Sequence, residues 1–217
     1  MFILDKSKFC EFNLNNVKEF IKFWKQFYPG DNVKIFDSDN KISYINELNL
    51  KNDLTEDNVK RLLRWKDPLR LTEKIGNTRR ENEKVLRVLE KMGDINNFRK
   101  RKISESDFFK KTRDIFPTGF VWQVFLFHIA RPVEYPIADR YVYRAFTVLN
   151  EKNKVLEGWN GYTKYKEFFF DIVKSAEINP ENKNDTSDIV SRLKEIDNAL
   201  FAFGQFLDKY HPQSEDM

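Results

Sequence analysis

Residues 119 to 132 read GFVWQVFLFHIARP, and the 11 positions from Phe120 to Ala130 carry no Asp, Glu, Lys or Arg. A glycine before the run and a proline after it bracket a helix. A helix that is apolar on every side has no face to give to water, so other parts of the chain must wrap it. The other dry surrounding, a lipid bilayer, needs about 20 consecutive apolar residues. This run is too short for that, and no other stretch of the chain approaches the length. A globular protein built around one buried helix is therefore expected, with no membrane as partner.

Helical periodicity fills most of the rest. In NNVKEFIKFWKQFY, Val17, Phe20, Ile21, Trp24, Phe27 and Tyr28 share one face, and PGD ends the run. Further helices are expected over 55–65, 70–76, 78–92, 105–115, 119–130 and 139–150, then in YTKYKEFFFDIVKSA. The last is the plainest: Ile189, Leu193, Ile196, Leu200, Phe203, Leu207 and Tyr210 recur every three or four residues. Residues 32 to 50, with VKIFDSDNKISYI, read as a short hairpin or as extended chain. NEKNKVLEGWNG reads as a loop and NPENKNDTSD as a polar connector. Strand signals are too few for a Rossmann fold or an α/β barrel, so the fold class is mainly α, in a single domain of 217 residues.

Charge and sulfur narrow the chemistry. Between Lys60 and Arg113 there are 18 Lys or Arg against 8 Asp or Glu, while the whole chain nets only +4. A basic middle on an otherwise acidic chain fits a polyanion partner, and it also fits a plain solvated surface. One cysteine, Cys10, excludes an internal disulfide and any cysteine-held metal or iron–sulfur centre. The two histidines, His128 and His211, make a poor zinc set. MFILDKSKFC is too short and too charged for a signal peptide, which leaves the cytoplasm as the expected compartment.

No dinucleotide, Walker, zincin, nucleophile-elbow or CxxC motif occurs. Acid pairs such as Glu81 and Glu83 fall on the exposed surface of an expected helix, where solvated charge is their ordinary role. What stands apart is residues 105–150, ESDFFKKTRDIFPTGFVWQVFLFHIARPVEYPIADRYVYRAFTVLN. A short helix ends at FPTG, where Pro117, Thr118 and Gly119 permit a tight hairpin. ARP stops the buried helix that follows, Tyr135, Pro136 and Ile137 make a turn, and Asp139 opens the next helix. A hairpin glycine and a helix N-terminus both present backbone amides, which can hold a phosphate. Lys110, Lys111 and Arg113 lie beside the hairpin, placed for neighbouring phosphates.

In these residues the chain resembles the helix-hairpin-helix DNA glycosylases of the endonuclease III and adenine DNA glycosylase type. Their pattern is an LPGVG hairpin, an apolar helix, a short Pro-Ile or Pro-Val turn and Asp-x-x-Val-x-Arg. Here Pro136, Ile137, Ala138, Asp139, Val142 and Arg144 stand in register. The resemblance covers 105–150 in detail, with compatible helices on either side. It implies a two-lobed helical fold with little or no strand. One lobe would hold the N- and C-terminal helices; roughly 55–150, with the hairpin at 107–130, would face DNA. It also implies double-stranded DNA as partner, a monomer, and Asp139 as the catalytic carboxylate. Bifunctional members place a lysine two residues after the last hairpin glycine. This chain has Val121 there, 18 positions before Asp139, so the resemblance implies a monofunctional hydrolase and not a Schiff-base lyase. The hairpin reads PTG where the family has PGVG, and the four-cysteine cluster of several relatives has no counterpart, so no cofactor is expected. RLLRWKD stands where relatives carry a polar pair that guides the first catalytic helix.

Hydrolysis of an N-glycosidic bond builds positive charge on the sugar, and one fixed carboxylate beside it stabilises that charge and orients the attacking water. The base to be removed first has to leave the stack. Trp65, Trp122 and Tyr141 are candidates to stack on it or line its cleft, and Lys66 or Arg64 to fill the gap in the duplex. Core packing and surface solvation are the competing roles for these residues. His128 reads first as a core histidine with its hydrogen bonds met, and second as a pocket residue. Arg144 is placed to brace the site through an acid. Three roles stay open: a monofunctional glycosylase, a DNA-binding protein or regulator on the same fold without catalysis, and a helical interaction protein. Asp139 is correspondingly an acid that does chemistry, an N-cap, or both.

Overall fold

Ten α-helices, a 3-10 turn over Lys25–Phe27 and one pair of short strands make up the regular backbone among the described residues, and the chain is mainly helical as its periodicity predicts. The computed structural model describes residues 16–29, 43–67, 72–75, 78–150, 158–180 and 186–210. In chain order the elements are α1 (Val17–Trp24), α2 (Tyr44–Glu47), α3 (Glu56–Lys66), β1 (Thr72–Ile75), β2 (Thr78–Glu81), α4 (Glu83–Glu90) and α5 (Met92–Arg99). They continue as α6 (Glu105–Ile115), α7 (Phe120–Ala130), α8 (Arg140–Leu149), α9 (Gly158–Ser175) and α10 (Thr186–Tyr210). No helix among the described residues is long and apolar enough to cross a membrane. The chain divides into two compact units: one takes both ends, 1–29 and 136–217, and the other is 30–135. Residues 136–150, grouped with the hairpin in the sequence reading, thus belong with the chain ends.

Several sequence expectations need correction. The helix expected over 70–76 is strand β1, paired antiparallel with β2 so that Thr72 faces Glu81 and Ile75 faces Thr78. KIGNTRRE explains it: no apolar period holds a helix there, and a Gly-Asn dipeptide is a two-residue hairpin signal. The helix expected over 78–92 starts only at Glu83, because the Asn82 side chain accepts from the amides of Lys84 and Val85 at 3.1 and 3.2 Å. It ends at Glu90, and α5 is a separate helix. Gly158 to Gly161, read as the end of a loop, form the first turn of α9. Within the ambiguous stretch, Tyr44–Glu47 is a helical turn; the hairpin reading of 32–42 lies outside the described residues, as do Cys10 and His211.

In the unit 30–135, α7 is the centre. Every residue from Gln123 to Ala130 is buried. Phe98 of α5 stacks on Phe108 of α6 at 4.3 Å between ring centroids, and both meet Phe127 of α7 edge-on at 5.1 and 4.8 Å. On another side Trp65 of α3 packs at 4.5 Å from Tyr44 and 6.2 Å from Phe125. A capping box of Thr55 and Asn58 starts α3, and buried Glu47 accepts from Asn58 and Arg61 at 3.0 and 3.1 Å. The Arg99 guanidinium donates to the carbonyls of Leu48 and Asn49 at 2.9 and 2.7 Å, satisfying backbone that α2 leaves open.

In the unit of the chain ends, α10 is the spine. Trp24 of α1 packs on Phe203 and Phe206 at 5.0 and 5.3 Å, and Phe20 meets Phe203 edge-on at 5.5 Å. Phe146 of α8 lies 5.2 Å from Phe168 and 5.9 Å from Tyr165 of α9. The tightest point is between α8 and α10, where a Cβ on Gly204 would sit 2.0 Å from the Tyr141 carbonyl oxygen. That atom is helix backbone and cannot rotate away, so only glycine allows the two helices to approach this closely.

Gly204→Ala should therefore force α8 and α10 apart. The expected loss is about 1–3 kcal/mol, seen by calorimetry as a Tm lower by about 3–10 °C. An unchanged Tm would contradict the close approach.

Candidate functional site

Burial decides where α8 begins. Tyr135, Pro136, Ile137 and Ala138 are all buried, and the Tyr162 hydroxyl donates to the Pro136 carbonyl at 2.9 Å. The chain then reaches Asp139 in an extended conformation, φ −154° and ψ 177°, and turns into the helix. Its Oδ1 accepts from the amides of Tyr141 and Val142 at 2.8 and 3.0 Å, an N-cap that fixes the carboxylate in one rotamer. The side chain is half-buried. Within electrostatic reach lies Tyr165, fully buried, whose hydroxyl has no hydrogen-bond partner among the described residues. Burial, then the carboxylates of Asp197 and Asp139 with neighbouring tyrosines, holds its phenol well above the usual tyrosine range. Burial likewise pushes the Tyr143 phenol up. A carboxylate at a helix mouth is thus backed by phenols that stay neutral.

The start of α8 is also braced. Arg144 pairs with Asp208 of α10, as the sequence spacing allows, and Arg140 approaches the same carboxylate at 3.7 Å. Tyr141, half-buried, lies edge-on to Phe201 at 5.0 Å with the Arg140 guanidinium 4.5 Å over its ring.

The hairpin belongs to the other unit. Ser104 caps α6 by accepting from the Asp107 amide at 3.1 Å, and α6 ends at Ile115; the carbonyl of the next residue, Phe116, accepts from Gly119 N–H at 3.3 Å. No side chain caps α7. Gly119 has φ −88°, which any residue adopts; its missing side chain matters because a Cβ would lie 3.1 Å from that of Phe116. Thr118 is exposed at the tip. Lys110 is exposed and 3.8 Å from Asp107, Lys111 is 3.5 Å from Asp94, and the exposed Arg113 lies 5.6 Å over the Phe109 ring.

The expected base-contacting residues fall in both units. Trp65, Lys66 and Trp122 gather round one ring, Phe125, at 6.2, 5.8 and 6.1 Å from its centroid, whereas Tyr141 stands near Asp139. Trp65 is buried and packs as core; Trp122, Lys66 and Arg64 are half-buried, and Trp122 stacks on Phe116 at 5.8 Å. His128 is a core histidine with both nitrogens engaged, Nε2 with the Tyr44 hydroxyl and Nδ1 with the Tyr135 carbonyl oxygen at 2.6 Å.

Sequence reasoning missed a buried charge pair. Lys194 Nζ, on α10, donates to Asp197 at 2.8 Å and to Asn198, and stands 4.5 Å over the Tyr28 ring. Both charged residues are about as buried as the leucines beside them, at 6% and 5% exposure. The signal was present, since Asp197 sits four residues after Leu193 and three before Leu200, on the apolar seam itself. No family model, curated protein or solved structure matches the chain.

As an N-cap, Asp139 should respond to substitution by shape and not by charge. Asp139→Ala should cost about 1 kcal/mol in urea unfolding, while Asp139→Asn keeps the cap and costs little. Equal losses in the two variants would mean that the cap is not what the carboxylate contributes.

Proposed function

We propose that this protein is a monofunctional DNA glycosylase, hydrolysing the N-glycosidic bond of a damaged or modified base flipped out of duplex DNA. The observation that carries the reading is Asp139, a half-buried carboxylate fixed by two amides at the mouth of α8, directly after a buried apolar turn. It stands at the position that matches the glycosylase pattern, after the hairpin and the apolar helix in the order that pattern requires. A carboxylate held in one rotamer needs no reorganisation as the sugar acquires positive charge, and it can orient the attacking water. Neutral Tyr165 adds no opposing or competing charge nearby. Val121 supplies no amine, so water is the nucleophile. Phosphates would be held by the amides at Thr118 and Gly119 with Lys110, Lys111 and Arg113, and half-buried Tyr141, in the same unit as Asp139, is left to meet the flipped base.

A second reading, a DNA-binding protein or regulator without catalysis, is favoured by one observation: Oδ1 of Asp139 is engaged as a structural cap engages it. The two readings part on base release.

Duplexes carrying varied lesions and modified bases should yield alkali-labile sites with the protein and no borohydride-trapped adduct. Asp139→Asn should slow release by about 100-fold or more while duplex binding persists. Release at the wild-type rate in that variant would end the catalytic assignment, and duplex binding without release by the unaltered protein would favour the second reading.

Lys110→Glu combined with Lys111→Glu should weaken duplex binding and flatten its dependence on salt, because fewer counterions are released. Unchanged affinity in a folded double variant would remove the hairpin from the DNA-binding surface.

A further inference from the structure

In the unit of the chain ends, α1, the segment just after α9 and α10 line an open pocket of about 250 Å³. Its floor is apolar: Ile21, Ile178 and Ile196 are 8%, 7% and 1% exposed. Its rim carries Lys18, Lys22, Lys25 and Arg192 against only Glu177 and Glu195. Both carboxylates are taken, Glu177 by Lys18 at 2.6 Å and Glu195 by Lys25 at 2.7 Å. Among the described residues Lys22 and Arg192 have no carboxylate partner. The rim is left with two unneutralised cations above an apolar floor.

The wall is also strained. Glu177 follows α9 with φ +57°, and the amides of Glu177 and Ile178 close the helix onto the carbonyls of Lys174 and Val173 at 3.0 and 3.1 Å. Glycine is the residue that reaches this left-handed closure without cost. A glutamate there keeps its carboxylate on Lys18, whose hydrogen bond and charge hold it below the ordinary carboxylate range. Strain of this kind persists where surrounding structure enforces it, commonly at ligand-binding walls.

We infer that this pocket binds a small phosphate monoester with a compact apolar substituent. The phosphate of a monoester carries about −1.5 to −2 charge at pH 7, matching Lys22 and Arg192 together. The Arg192 fork can take two of its oxygens, and the apolar part covers the isoleucine floor. The volume is below the roughly 300–1,000 Å³ of drug-sized sites, so the substituent is small. A phosphodiester in a nucleic-acid backbone has a single charge and no compact apolar group to seat. This site shares no residue with the glycosylase proposal and does not depend on it.

Titration calorimetry with phenyl phosphate tests the inference. It should show saturable binding at one site, with inorganic phosphate weaker because it leaves the floor uncovered. Lys22→Ala combined with Arg192→Ala should weaken phenyl phosphate about tenfold or more, with circular dichroism confirming the fold. Lys164→Ala combined with Lys209→Ala removes the same charge from exposed positions of the unit that do not line the pocket and should leave affinity unchanged, as should Asp139→Asn. Absence of saturable binding, or an equal loss in the control pair, overturns the proposal. So does a DNA duplex that displaces phenyl phosphate and itself loses affinity in the Lys22→Ala, Arg192→Ala variant.

Discussion

Keeping Gln123–Ala130 of α7 out of water is the constraint from which the unit 30–135 follows. An apolar helix of this kind gains from burial on every side, at about 25 cal/mol for each Å² removed from water. Aromatic side chains of α3, α5 and α6 supply that cover, through Trp65, Phe98 and Phe108. The few polar atoms on α7 must then be satisfied from within. Gln123 donates to the Phe116 carbonyl and so ties the start of α7 to the end of α6, closing the hairpin from inside. His128 does the same at the other end, binding the Tyr44 hydroxyl and the Tyr135 carbonyl. Tyr135, the last residue of this unit, is therefore anchored by the helix that precedes it.

In the unit of the chain ends the controlling feature is a close backbone approach. Gly204 lets the first turn of α8 come against α10, and Arg144 with Asp208 fastens the same pair of helices. Lys194 and Asp197 add a polar constraint on how α10 is rotated. Turning the helix to put either charge against an aromatic wall without the other would leave it uncompensated, which costs several kcal/mol. The position of Asp139 is thus set by backbone contact on one side and by helix capping on the other.

Capping and catalysis make the same geometric demand of Asp139. A cap holds the carboxylate in one rotamer, and a group that must meet a developing cation benefits from being held so. Its charge is what distinguishes the two roles, because asparagine caps nearly as well but cannot oppose a cation. The glycosylase reading rests on that charge and on the order of hairpin, apolar helix and turn.

Elements with a local physical signature were legible from the residues alone. Period-3.6 apolar stripes place α1, α3, α6, α8 and α10 within a few residues, the uncharged run places α7, and Asp139 announces itself as the first residue before a helix. His128 on an apolar helix reads correctly as a core residue. The strands at 72–81 escaped because a charge-dense stretch has no period to display, although its Gly-Asn pair marks a turn. Only the tertiary structure decided which residues share a unit: residues 136–150 join the chain ends and not the hairpin, because α8 buries its apolar face on α10. It likewise decided that Lys194 and Asp197 are buried together, that Glu177 is held left-handed, and that Lys22 and Arg192 face one pocket. Periodicity is written along the chain, whereas burial and charge pairing depend on segments distant in sequence, so no local pattern can report them.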